Sequence, residues 1–127
     1  MLIESRYHAS LLKRTMTTHT MHIAAEQFAK IANGTKVIES RLYDTKRQKI
    51  CLGDTIVFAC NDDPSQTVCT TVTALYHYPT FAALFADFPP QLFGNASKDE
   101  SLREIEMFYS KRDQEENGVI GIKIELT

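Results

Sequence analysis

Thr67–Tyr78, TVCTTVTALYHY, is the most β-prone run of the chain, and Thr55–Cys60, TIVFAC, is a shorter apolar run of the same kind. β-Branched and aromatic side chains pack well on a pleated surface, so the two runs are expected to be paired strands. The intervening NDDPSQ, with Asp63-Pro64 as turn initiator, supplies their hairpin loop. Near the C-terminus, VIGIKIELT sets Ile120, Ile122, Ile124 and Leu126 opposite Val119, Gly121, Lys123 and Glu125, the period of a strand. THTMHIA (18–24) and TKVIESRLYD (35–44) alternate less strictly and are read as two further strands.

Other apolar positions follow helical spacing. AAEQFAKIANG places Phe28 and Ile31 three apart among alanines and stops at Asn33-Gly34. PTFAALFADF reads as a short helix opened by Pro79-Thr80 and ended by Pro89-Pro90. KDESLREIEMFYSKRDQ reads as one longer helix, with Leu102, Ile105, Met107, Phe108 and Tyr109 as its apolar face. Phe28, Phe58, Phe81, Phe85 and Phe108 are assigned to the core. The fold class is therefore α+β, mainly β. Open edges are hazardous in so short a β protein, so a small mixed β-barrel of about five to six strands with two to three flanking helices is expected.

A chain of 127 residues fits one such domain, placed at 18–127. The opening MLIESRYHASLLKRTM lacks the apolar core and small-residue cleavage site of a secretory leader, and Met16 and Met21 offer other starts. Residues 1–17 are read as an N-terminal appendage. No apolar run approaches the roughly 20 residues of a membrane helix, so no membrane partner is expected. Cys51, Cys60 and Cys69 form no CxxC pair and are odd in number, which points to reduced thiols and a cytoplasmic location. His19 and His22 would face opposite sides of a strand without zinc-type spacing, so no metal is assigned, and nothing selects an organic cofactor.

Charge changes the picture locally. The net charge is −2, yet Lys30, Lys36, Arg41, Lys46, Arg47 and Lys49 fall within residues 30–49 against only Glu39 and Asp44. That segment carries +4 and the rest of the chain −6, an anion-attracting field on an otherwise repulsive body.

Gly34, Lys36, Glu39 and Arg41 read as G-x-K-x-x-E-x-R, followed by the basic TKRQK and by Gly53-Asp54 ahead of an apolar strand. With YHYPTFAALF and the closing MFYS…NGVIGIKIEL in the same order, residues 18–127 resemble the ASCH domain, named for activating-signal-cointegrator homology and related to the PUA domain. The resemblance implies a PUA-like barrel with a charged cleft beside the motif strand and RNA or a nucleotide as ligand. It also implies possible chemistry: one bacterial branch deacetylates acetylcytidine, and ribonuclease activity is described for another.

Glu39 and Arg41 lie two apart on a strand and so share a face, where the carboxylate can hold the guanidinium as a planar fork for phosphate or a carbonyl edge. Alternation puts Lys36 on the opposite face, so a shared cleft requires a turn or bulge near Gly34-Thr35. Lys36 would then be an anion-binding ammonium, favoured by Glu39, or a base or nucleophile. In the amidohydrolase branch the resemblance implies a catalytic lysine at Lys36, with threonine where this chain has Glu39. It also implies a further carboxylate, for which Asp87, Asp99 and Glu100 are all open. The candidate binding residues are Lys36, Glu39, Arg41, Lys46, Arg47, Tyr76, Tyr78 and Tyr109, and the candidate catalytic pair is Lys36 and Glu39. Tyr76 and Tyr78, with His77, would stack a base at the barrel mouth, while Tyr109 caps the core or faces the cleft. The expected function is RNA or nucleotide binding. The alternatives are a hydrolase acting on a modified nucleoside or RNA, and a non-catalytic domain whose acidic helix 98–116 meets a protein partner.

Overall fold

The computed structural model describes residues 15–127, so all but the last three positions of the appendage expected over 1–17 lie outside the described residues. Within them are five strands, β1 (Thr18–Ile23), β2 (Ile38–Leu42), β3 (Thr55–Cys60), β4 (Thr67–Tyr78) and β5 (Val119–Leu126). Four α-helices accompany them: α1 (Ala25–Ala32), α2 (Phe81–Ala86), α3 (Lys98–Glu106) and α4 (Lys111–Asn117). The strands form one sheet in the order β1-β3-β4-β5-β2. All neighbours are antiparallel except β1 and β3, which α1 and β2 separate in sequence and which run parallel.

β4 explains the shape. Its Thr67–Thr71 half pairs with β3, and from Thr70 to Tyr78 it pairs with β5, with a register irregularity between Val72 and Ala74. An extra residue in one strand bends it and raises the local twist, so the sheet curls into a half-barrel. β1 and β2 are its two edges. The seam between them is where the chain must satisfy edge groups by other means.

Two apolar clusters cover the two faces. On the concave side Ile56, Phe58, Val72, Ile120, Ile122 and Ile124 meet Met21 and Ile23 of β1 and Ile31 of α1, with Phe28 half-buried beside them. On the other side Ile38, Leu42 and Val119 pack against Phe81, Leu84 and Phe85 of α2 and against Phe93. Glu39 is paired with Ile122 and Arg41 with Ile120, so both charged residues stand on the concave face.

The segment read as one helix over 98–114 is two helices, which raises the count from two or three to four. Ser110 and Asp113 form a capping box: the Ser110 hydroxyl accepts from the Asp113 amide at 3.1 Å, and the Asp113 carboxylate accepts from the Ser110 amide at 2.9 Å. Reciprocal capping satisfies orphan amides and starts a new helix where the old one would otherwise run on. The break turns Met107 (80% exposed) and Phe108 (75%) into solvent, so Met107 leaves the apolar face read for the helix and Phe108 does not join the core assigned to it. Gln114 of α4 is buried and accepts from the Phe81 amide at 2.9 Å, docking α4 on α2.

The Gly53-Asp54 dipeptide is architectural. Asp54 is fully buried: its Oδ1 accepts from the Thr17 amide at 3.1 Å and its Oδ2 from the Cys51 amide at 2.9 Å, with His19 Nε2 2.8 Å from the same Oδ2. One carboxylate thus ties the start of β1 to the turn before β3.

Gly121 lies in β5 beneath α2, where a Cβ would stand 3.0 Å from Leu84 Cδ1 and 3.3 Å from Ile38 Cγ2. Both neighbours are fully buried, so neither can give way easily. Gly121→Val is therefore predicted to cost about 1–3 kcal/mol, read as a lower denaturant midpoint at unchanged slope.

Candidate functional site

The motif segment begins with a turn that frees Lys36 from strand alternation. Gly34 adopts φ +82°, the left-handed region open to glycine, and the Asn33 side chain accepts from the Thr35 amide at 2.9 Å. The Lys36 amide then donates to Lys30 O at 3.0 Å, and β2 starts only at Ile38. This is the turn that a shared cleft requires. It brings Lys36 Nζ to 3.2 Å from Glu39 Oε1 and, on its other side, 2.9 Å from the Gln27 side-chain oxygen of α1.

Glu39 is the hub. Its Oε1 also accepts from the Ser40 amide at 3.1 Å, and its Oε2 accepts from Arg41 Nε and Nη2 at 3.2 and 3.0 Å. It is 4% exposed and Lys36 8%. Burial alone would raise the carboxyl, but Lys36 and then Arg41, pressed against it, outweigh that and hold it at about 2, below the usual 4.5. Burial likewise works against the charge on Arg41, and Glu39 overrides it to raise the guanidinium above its ordinary value, with the Tyr109 hydroxyl assisting.

Arg41 does a second job. Its Nη2 donates to His22 O at 3.2 Å, a bond from β2 to β1 across the seam of the half-barrel. The cluster therefore sits where the two sheet edges approach, and beside it opens a cavity of about 270 Å³. One wall carries Gln27, Lys36, Glu39 and Arg41, and Asn95, Ser101 and Glu104 line the cavity from the segment around α3. With its amide turned to suit its neighbours, Asn95 donates to Glu104 Oε2 at 3.2 Å and accepts from the Ser101 hydroxyl at 2.8 Å. Phe85 and Phe93 contribute apolar lining, and Phe108 and Tyr109 belong to the stretch joining α3 to α4. Lys36 and Arg41 are matched there by Glu39 and Glu104, so the lining sets a polar cluster among apolar groups and carries no formal net charge.

Of the residues singled out in the sequence, the structure gathers Lys36, Glu39, Arg41 and Tyr109 around this cavity. It leaves the others outside. Lys46 is exposed on the β2–β3 loop, and Arg47 is turned back onto Asp44 at 2.9 Å. Tyr76 packs on Phe88 with ring centres 4.7 Å apart, His77 on Tyr43 at 4.5 Å, and the Tyr78 hydroxyl donates to Asp87. Lys30 donates to Gly94 O at 2.6 Å. The basic segment is thus dispersed by the fold, and two of its six cations reach the cavity.

Besides Glu39, the carboxylate that lines the cavity is Glu104 rather than Asp87, Asp99 or Glu100. Asp87 is taken by Tyr78, Glu100 accepts from the Ala96 amide at 3.1 Å, and Asp99 is exposed in the first turn of α3. Gln27 and Phe108 were likewise not read as site residues. A signal existed for two of these: Ser101, Glu104, Ile105 and Phe108 are spaced i, i+3, i+4, i+7, one stripe that mixes polar and apolar groups.

The curled sheet and seam pocket define a PUA-like half-barrel. Residues 21–127 match the ASCH domain, and the chain belongs to that family. Its structure is similar to the crystal structure of the hypothetical protein PH0355 at 27% identity and TM-score 0.77, covering 87% of this chain and 100% of that one. It is also similar to the solution structure of protein PF0455 from Pyrococcus furiosus, at 26% identity and TM-score 0.66, covering 87% and 97%. The ASCH domain from Lactobacillus crispatus JV V101 shares the fold at 14% identity and TM-score 0.61, covering 98% and 91%. No curated protein matches the chain.

Because Glu39 is held below its unfolded-state value, its contribution to stability is present above about pH 4.5 and is lost as the pH falls towards 2. Glu39→Gln is predicted to cost about 3 kcal/mol near neutrality, since it leaves two buried cations uncompensated. The gap between wild type and variant should narrow on acidification through that window, measured as denaturant midpoints against pH.

Proposed function

We propose that this ASCH domain binds a nucleotide, or a single unpaired base of an RNA, in the pocket at the barrel seam. One observation carries the reading: Arg41 and Lys36 are held by one buried carboxylate on the same wall of a small cavity, with Glu104 and Asn95 also lining it. Oriented donors on one wall and an acceptor among the other lining groups suit the edge of a base, whose own donors and acceptors are fixed in a plane. At about 270 Å³ the cavity sits near the lower end of small-molecule pockets, which begin at roughly 300 Å³. The absence of net charge in the lining favours a base or nucleoside moiety over a polyphosphate. Exposed Lys46 and Lys49, outside the cavity, are available to backbone phosphates of a longer RNA.

The reading predicts two salt dependences. Affinity for a nucleoside should change little with salt, whereas affinity for a short single-stranded RNA should fall, because phosphate contacts release counterions. Arg41→Ala and Lys36→Ala, checked for folding, should each weaken nucleoside binding by roughly 10- to 100-fold, the range for a hydrogen bond to a charged group. Equilibrium titration of ribonucleosides, acetylated cytidine and short RNAs at two salt concentrations tests this. No binding by the wild type at either would defeat the reading.

A second reading, hydrolysis of an amide or phosphodiester on a modified nucleoside or RNA, is favoured by the enclosure of Lys36 in the cavity that Glu104 also lines. Against it, Lys36 is committed to Glu39 and Gln27 and would have to leave them to act as base or nucleophile. Full turnover by Lys36→Ala would remove it.

A further inference from the structure

The rim of the cavity carries an aromatic ring that the fold itself does not use. Phe108 lines the pocket, is 75% exposed, and has no ring contact among the described residues. The other aromatic residues there are engaged. Phe85 and Phe93 are buried and pack edge-on at 4.8 Å, and Tyr109 stacks on Phe81 at 5.8 Å with its hydroxyl towards Arg41. The position of Phe108 is built rather than frayed: α3 ends at Glu106, and the Ser110 capping box starts α4 just beyond, with Ser110 two residues after Phe108, so the ring lies in the turn between the two helices. Burying a phenylalanine ordinarily stabilises a fold, and this fold forgoes most of that gain at the rim of its pocket.

We propose that Phe108 is a stacking platform, taking one face of the planar base whose edge is met by Arg41 and Lys36. The inference rests on the pocket being a base-binding site, and adds how the base is held at its open side. A π-face accepts any base, so Phe108 contributes affinity while the polar wall sets orientation.

The chain contains no tryptophan, so Phe108→Trp places a single indole reporter at the rim. The probes are the four ribonucleoside monophosphates and a short single-stranded RNA, titrated into wild type, Phe108→Trp, Phe108→Leu, Phe108→Ala and Arg41→Ala. Saturable quenching of the indole with near-wild-type affinity is expected. Phe108→Ala should lose roughly 5- to 150-fold in affinity, the equivalent of about 1–3 kcal/mol per stacked base, and Phe108→Leu should lose most of that although it keeps apolar area. Undiminished affinity in Phe108→Ala, with Arg41→Ala defective, would overturn the platform and leave the pocket reading standing. The same follows if the indole is not quenched at saturation, or if Phe108→Ala changes only the sedimentation of the protein, which would mark a self-association face. Failure of every probe to bind wild type would overturn both.

Discussion

A buried carboxylate between two cations organises this domain. Glu39 occupies a concave-face position opposite Ile122, where an apolar side chain would be the ordinary choice. An isolated charge there would be costly to remove from water, so its presence obliges the fold to bring partners. Lys36 arrives from the turn before β2, Arg41 from two residues along the same strand, and the Ser40 amide from the backbone between them. The same guanidinium then reaches His22 O on the opposite sheet edge. One acid thereby fixes two donors and helps to hold the seam that the curled sheet leaves open.

That dual role accounts for the location of the pocket. A half-barrel has two edges with unpaired backbone groups, and polar side chains that satisfy them also create a hydrogen-bonding surface at the gap. The segment from Asn95 to Tyr109 lies over this gap and adds Asn95, Ser101 and Glu104. Ligand-binding surfaces need donors whose geometry is set before the ligand arrives, and a buried ion cluster supplies that at some expense in stability. Asp54 shows the contrast: it is as deeply buried as Glu39, but it holds the amides of Thr17 and Cys51 and meets His19, and it does not line this pocket.

Much of this was legible in the sequence where local rules act alone. β-Prone and apolar runs gave β3 and β4 at their observed bounds, period-two alternation gave β5 to within its last residue, and the spacing of Glu39 and Arg41 let them meet on one face. The turn at Asn33-Gly34-Thr35 was demanded by the motif before its geometry was known. Where the reading failed, tertiary or competing local terms decided. The stretch 98–114 has a continuous helical period, but Ser110 and Asp113 prefer to cap one another, and the apolar period loses to the cap. The basic run from Lys30 to Lys49 looks like one patch in sequence. A strand, a turn and a loop carry its members in different directions, and Arg47 and Lys30 find partners of their own. The aromatic run Tyr76–Tyr78 is absorbed by packing on Phe88 and Tyr43 and by the Asp87 carboxylate. Glu104 could be placed only by folding α3 against the seam.

The ionisation of Glu39 tests the central claim most directly. Carbon-13 NMR of its side-chain carboxyl, followed against pH in the folded protein, should show no titration from neutrality down to about pH 3, with a midpoint near 2 where the protein survives. A midpoint at the ordinary glutamate value near 4.5 would contradict the account, because it would mean that the two cations do not enclose the acid.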